Sequence, residues 1–262
     1  MRSDIVVIKL GGASLQNENV LSEVIHTIKE YRKYDYDVVL VHGGGPAINA
    51  ELTKRDIKWE FINGQRKTTP EMIDVIEEVL FKKINAEIIE NFSAAEIPAA
   101  ALCGSEDNLL FCKQANPELG LVGSVMSVNT DKILRYLKPE KNYVPVISPV
   151  GVGASGEKYN INADWAATKI ASALKAKKLI FLTDQKGILD SQKELIKAAD
   201  SAKLKSFLDD QTVTGGMYTK VLTMVDALEN GVSQVRVMHC SQTNMGLWSD
   251  NVGTMCEVTC SL

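Results

Sequence analysis

The stretch Ile5-Val6-Val7-Ile8-Lys9-Leu10-Gly11-Gly12 confines the fold of this chain more tightly than any other. Consecutive β-branched residues that end on a glycine pair predict a short buried strand. Next, Val20, Leu21, Val24, Ile25 and Ile28 fall on one face of an amphipathic helix. Strand, glycine turn and helix together present bare backbone N–H groups to an anion. Lys9, at the end of the strand, adds a point charge to that place.

The arrangement recurs. Asp37 to His42 predicts a second buried strand, ending in His42-Gly43-Gly44-Gly45-Pro46 with a helix to follow. Glycines let a backbone lie against a ligand with no side chain between them. Both loops would lie at carboxyl ends of strands, where open α/β sheets bind ligands. Regular alternation of strand and helix further on predicts a three-layer, open, mainly parallel sheet with helices on both faces. We expect two lobes on one continuous sheet, residues 1–175 and 176–262.

Lys58 to Ile62 predicts a strand and Asn63-Gly64 a hairpin turn. A long helix follows, with Thr69 as N-cap, Pro70 in the first turn and a stripe from Met72 to Ile88. Its length makes it a candidate subunit interface. Arg66, at its entrance, reads either as a solvated hairpin arginine or as a carboxylate-binding fork turned back on the glycine loops. Pro98 to Leu102 is a further strand, and Leu109 to Phe111 and Leu121 to Val128 read as antiparallel pieces. Val144 to Val150 predicts a buried strand leading into a glycine-rich hairpin, Gly151 to Gly156. Asn160, Asn162 and Asp164 then precede an alanine-rich helix, more polar groups than an N-cap requires.

In the second lobe, Leu179 to Thr183 is a strand, and Asp184 to Asp190 a glycine turn with a short apolar return. Gln192 to Asp200 reads as loose and polar. Thr212-Val213-Thr214-Gly215-Gly216 leads into a helix carrying Lys220. That lysine reads as solvated, or as a partner for phosphate behind a glycine pair. Val235 to Met238 and Val252 to Val258 are expected to close the sheet, with His239 to Asp250 a loop.

The net charge of −4 gives no global attraction for nucleic acid or an anionic membrane, so an anion site must be a local cluster of Lys and Arg. No signal peptide or membrane-spanning run is recognised, and five scattered cysteines read as free thiols, so a cytoplasmic protein is expected. The spacing of Cys256, Cys260 and His239 fits no structural zinc pattern. A serine elbow, a Cys/His pair, a P-loop and a dinucleotide fingerprint are all missing. What remains, glycine loops beside isolated lysines, points to phosphoryl transfer, where a protein positions two anions and screens the charge between them.

These motifs resemble the amino acid kinase family, and within it the N-acetylglutamate kinases, over nearly the whole chain. The resemblance rests on Lys9 to Gly12, Val41 to Pro46, Asn63 to Arg66, Asn160 to Asp164, Leu182 to Leu189, and Gly215 to Met217 with Lys220. It implies that the side-chain carboxylate of N-acetyl-L-glutamate attacks the γ-phosphate of ATP, giving an acyl phosphate in arginine biosynthesis. Lys9 and Lys220 would stabilise the transferring group, and Asp164 would hold both lysines. Gly44, Gly45, Arg66 and Asn160 would bind the acid. Gly11, Gly12, Asp184, Lys186, Gly187, Ile188, Leu189, Thr212, Val213 and Thr214 would serve the nucleotide, and Gly11, Gly12, Gly44 and Gly45 would give backbone N–H bonds to the reacting groups. Mg²⁺ would be held by phosphates and water, with no protein residue as metal ligand.

The chain departs from the family pattern at Lys67-Thr68-Thr69, at Cys103 to Asp107 and at His239 to Ser249. These lie on the substrate side and the closing loop more than at the phosphate site. Another acyl acid, N-succinylglutamate or a carrier-linked aminoadipate, and a silent binding homologue stay open as alternatives. Lys9 stands close to the first residue, leaving no room for the extra N-terminal helix of arginine-inhibited, ring-forming relatives. A homodimer without arginine feedback is the expectation.

Overall fold

The computed structural model describes residues 4–17, 19–62, 64–138, 140–245 and 252–257. The first unit is β1 (Asp4–Leu10) and α1 (Val20–Lys33), and the second β2 (Tyr36–His42) and α2 (Gly45–Lys54). Both strands are buried through their carboxyl-terminal halves, as β-branched runs without polar alternation require. A small hairpin, β3 (Phe61–Ile62) and β4 (Gln65–Arg66), follows. It is shorter than the strand expected from Lys58.

The long helix begins at Pro70, with Thr69 extended before it, although the Thr69 side chain makes no capping bond. It runs as α3 (Pro70–Glu77), a π-helical segment (Glu78–Asn85) and α4 (Ala86–Ala94). Then come β5 (Ala99–Cys103), β6 (Leu110–Gln114), β7 (Gly123–Val128), α5 (Thr130–Leu134), β8 (Val144–Ser148), β9 (Val150–Val152) and β10 (Lys158–Asn160). The remainder is α6 (Ala163–Leu174), β11 (Lys178–Thr183), β12 (Ala198–Asp200), α7 (Ser201–Asp209), α8 (Gly215–Glu229), β13 (Gln234–His239) and β14 (Thr254–Glu257).

The main sheet has the order β12-β14-β13-β11-β1-β2-β8-β5. Every pair in it is parallel except β13 with β14. Two hydrophobic cores lie on its two faces. One gathers Val7, Val39, Ile170, Phe181 and Met224 under α6 and α8, and the other Ile8, Leu40, Ile28, Ile76 and Ile88 under α1 and the long helix. Successive residues of β1 therefore face opposite cores, which explains its continuous apolar run. A second sheet, β10-β9-β6-β7, is built from antiparallel hairpins beside the first.

The edge differs from expectation. Ala198–Asp200, read as loose, is the outermost strand, and β14 lies inside it. Asp200 caps α7, its side chain accepting from Lys203 N at 2.7 Å. Residues 1–175 and 176–262 meet in this one sheet, where β1 pairs with β11 in the register Lys9 to Phe181. Asn63, Val258, Cys260 and residues 246–251 of the last loop lie outside the described residues. Among the described residues no helix is long and apolar enough to cross a membrane.

Candidate active site

Three elements converge at the carboxyl ends of β1, β2 and β11. The first brings Lys9, whose stem is held in the centre of the sheet between Val41 and Phe181. The second is the amino end of α6. There Asn162 is the N-cap, its Oδ1 accepting from Asp164 N at 2.9 Å and Trp165 N at 3.3 Å. Capping fixes Asp164 in the first turn, where the helix dipole favours a carboxylate. The third is α8, which carries Lys220 over the Phe181 ring at 5.2 Å.

Asp164 bridges the two lysines. Lys220 Nζ donates to Oδ2 at 2.8 Å. Lys9 Nζ lies 2.8 Å from Oδ1 as an ion pair that is off hydrogen-bond alignment. All three residues are more than nine-tenths buried. Burial by itself would raise the Asp164 carboxyl, but Lys9 and Lys220 outweigh it and hold the pKa at about 2. Lys220 is lowered, first by burial and then by the neighbouring Lys9 charge. Two ammonium groups thus share one carboxylate, leaving one net positive charge in a partly dry place suited to an anion.

A cavity opens on each side of the bridge. The first, of about 250 Å³, holds Lys9, Gly12, Gly44, Gly45, Arg66 and Asn160, with Ile48, Leu80 and Phe61 supplying apolar wall. The glycine loops touch: a Cβ on Gly12 would fall 2.6 Å from Gly44 N and 2.8 Å from Gly45 N. The Arg66 guanidinium lies 4.8 Å from the Phe61 ring centroid and 5.6 Å from that of Trp59. Its Nη2 donates to Gly45 O at 3.2 Å, while its buried Nη1 has no hydrogen-bond partner among the described residues. Burial lowers its pKa to about 10, so it remains a cation at neutral pH. A buried donor fork without a full set of acceptors, aimed into a cavity, is matched by a carboxylate.

Thr68 ties this arginine to Asn160. Thr68 Oγ1 donates to Arg66 O at 3.0 Å and accepts from Asn160 Nδ2 at 3.1 Å. Sequence reasoning noticed Thr68 only as a departure. Its role depends on the segment after β4 meeting β10 in space, which no local pattern shows.

The second cavity, of about 570 Å³, contains Asp184, Gly187, Leu189, Thr212, Val213 and Thr214. Gln185, inside the expected stretch Asp184 to Leu189, also faces it, as do Asp190 and Met217, which the sequence did not single out for the nucleotide. Lys220 and Asp164 stand at its inner end. Four expected nucleotide residues do not line it. Gly11 N–H donates to Leu182 O at 3.0 Å and so is not open to a ligand. Ile188 is fully buried in the core and its N–H donates to Thr254 Oγ1 at 2.7 Å. Lys186 is exposed and does not line the cavity. Gly12 faces the first cavity, not the second.

A family model for the amino acid kinase family matches residues 4–239. The chain belongs to the amino acid kinase family. Its relatives within the family include an acetylglutamate kinase of Ruegeria pomeroyi, 39% identical over 89% of this chain and 81% of that one. Another, from Trichlorobacter lovleyi, is 38% identical over 88% of this chain and 83% of its own length. Among solved structures, smu.665 from Streptococcus mutans superposes with a TM-score of 0.83 at 28% identity, covering 98% of this chain and 99% of its own. A carbamate kinase from Giardia lamblia, at 17% identity and a TM-score of 0.71 over 98% of this chain and 99% of its own, shares the fold.

Proposed function

We propose that this chain is an acetylglutamate kinase, transferring the γ-phosphoryl group of ATP to the side-chain carboxylate of N-acetyl-L-glutamate and yielding an acyl phosphate and ADP. The observation that carries the reading is the shared carboxylate. Asp164 presents two ammonium groups, one from each lobe, at the junction of a small carboxylate-matched cavity and a larger one.

In this reading the acid lies in the first cavity, its α-carboxylate on Arg66 and its amide end near Asn160. A carboxylate oxygen, already ionised at neutral pH, attacks phosphorus, so no general base is required. The bond to the bridging oxygen of ADP breaks as the new P–O bond forms. Charge spreads over the three transferring oxygens, and Lys9 and Lys220 meet it from either side, an electrostatic contribution. Gly12, Gly44 and Gly45 add backbone N–H groups on the side of the acid. The adenosine portion lies along Asp184, Gly187, Leu189 and Thr212 to Thr214.

Among the described residues no three His, Cys, Asp or Glu side chains gather to hold a metal, and both Asp164 oxygens face lysines. That donor set fits a magnesium ion carried on phosphate oxygens and water, where it would neutralise phosphate charge. The same reading places the protein in arginine biosynthesis in the cytoplasm, as a homodimer, which size-exclusion chromatography with light scattering tests.

The test of function is a panel of N-acetylglutamate, N-succinylglutamate and free glutamate, with ATP and hydroxylamine to trap acyl phosphate as hydroxamate. N-acetylglutamate is expected to give the highest kcat/KM. Preference for another acid would move the substrate, and no hydroxamate with any acid would remove the enzymatic reading.

A further inference from the structure

His42 and Asn85 form a buried pair beneath the second glycine loop that the proposed chemistry does not use directly. Both are fully buried. Asn85 Nδ2 donates to Val146 O at 2.9 Å and lies 3.3 Å from His42 Nε2. On the other side of the ring, His42 Nδ1 lies 3.1 Å from Gly43 O.

The proton positions follow from the partners. Val146 O can only accept, so the amide nitrogen of Asn85 must face it, and the same NH₂ group then faces Nε2. Burial lowers the His42 pKa to about 4, so the ring is neutral and carries one proton. With Nε2 accepting, that proton sits on Nδ1 and is donated to the Gly43 carbonyl. Asn85 thus selects the tautomer, as an outer partner does for a functional imidazole.

Holding the Gly43 carbonyl has a consequence one atom pair further on. In a trans peptide the C=O and the following N–H point in opposite directions. A carbonyl drawn toward His42 therefore turns the Gly44 N–H away from the imidazole. From below, the same loop is boxed by the π-helical segment. A Cβ on Gly44 would fall 2.5 Å from Ile84 Cδ1 and 2.6 Å from Leu80 Cδ2. Leu80, Ile84 and Asn85 all belong to that segment, and π-helical turns are frequent at functional sites.

We infer that His42 and Asn85 are positioning residues, an Asn85–His42–Gly43 relay that aims the Gly44 N–H at the transferring phosphoryl group. The inference rests on the proposed phosphoryl transfer for its kinetic consequence, but the tautomer itself does not.

Two measurements test it on the full chain. The first is ¹⁵N NMR of the histidine rings, with His42 assigned by its loss in His42→Asn. Wild type is expected to show a neutral Nδ1–H ring, and Asn85→Leu a shift toward Nε2–H. An Nε2–H ring in wild type would overturn the inference. The second is kinetic. His42→Leu and Asn85→Leu are expected to lower kcat by up to about a hundredfold, because they misaim a backbone donor whose outright loss costs roughly a hundredfold to a thousandfold. Both Michaelis constants should change little. His42→Asn keeps a donor close to the Nδ1 position and should recover most of the rate. A His42→Leu enzyme with wild-type kcat would overturn the inference, as would a His42→Asn enzyme no faster than His42→Leu at equal melting temperature. If the leucine variants do not fold, the wild-type tautomer and the His42→Asn rate decide. Absence of turnover in wild type with every acid would strike the proposed function, while the tautomer would still stand or fall by NMR.

Discussion

Lys220 Nζ of α8 and Asp164 Oδ2 of α6 lie 2.8 Å apart with both side chains at least 90% buried. Neither charge is tolerable there alone. Asp164→Asn leaves two ammonium groups facing one neutral amide. It is expected to cost about 3–5 kcal/mol of stability and to reduce kcat more than a hundredfold. Urea denaturation and steady-state kinetics read the two effects. Unchanged stability would mean that the lysines find other partners. The pH sense follows from the depressed carboxyl: its contribution is complete above the ordinary aspartate range and is lost as pH falls through about 2.

Arg66 is held by aromatic rings and one carbonyl, with Nη1 left for a ligand. Arg66→Ala should raise KM for the acid by about tenfold to a hundredfold and leave KM for ATP near wild type. Arg66→Lys should restore little, because an ammonium supplies neither the fork nor the stacked plane. A defect confined to ATP would place the acid elsewhere.

The two glycine loops make opposite predictions for alanine. At Gly12 the new methyl meets Gly44 N at 2.6 Å and Gly45 N at 2.8 Å, backbone atoms that cannot move aside without opening the site. At Gly44 it meets the tips of Ile84 and Leu80, which can turn. Gly12→Ala is therefore expected to abolish detectable turnover, and Gly44→Ala to leave a measurable fraction. Equal activity in both variants would show that the loops do not depend on their close approach.

How much of this was open to sequence reading depended on how local each cause is. The strands β1, β2 and β11 are apolar runs whose burial on both faces leaves no alternative, so they read clearly. The helix α7 buries only Leu204 and Phe207, too few for a periodic signal, and the Asp200 cap before it lay in a stretch that read as loose and polar. The π-helical segment was hidden because one apolar stripe from Met72 to Ile88 accommodates either winding. Gly11 and Gly12 are equivalent in sequence. The register of β11, which brings Leu182 O to Gly11 N, separates them. Likewise, Arg66, Thr68 and Asn160 are joined only after Thr68, just beyond β4, meets β10.

His42 is buried as a neutral ring with a pKa of about 4, against 6.5 for a free imidazole. The unfolded chain binds a proton at higher pH than the folded one. Stability from this residue is therefore complete above about pH 6.5 and declines as pH falls toward 4, by roughly 3 kcal/mol in all. Urea midpoints across that range should show the slope in wild type and lose it in His42→Asn. The same slope in both proteins would assign the titration to another group.

In the proposed reaction the two lysines act on the transferring phosphoryl group rather than on resting nucleotide. The measurement that reaches it most directly is single-turnover hydroxamate formation from N-acetylglutamate, with ATP and acid both saturating, in wild type, Lys9→Ala and Lys220→Ala. The expected result is one hydroxamate per ADP in wild type, and a rate reduced by at least about a hundredfold in each variant while ADP affinity changes little. A Lys220→Ala enzyme that keeps the wild-type rate and loses only nucleotide affinity would contradict it.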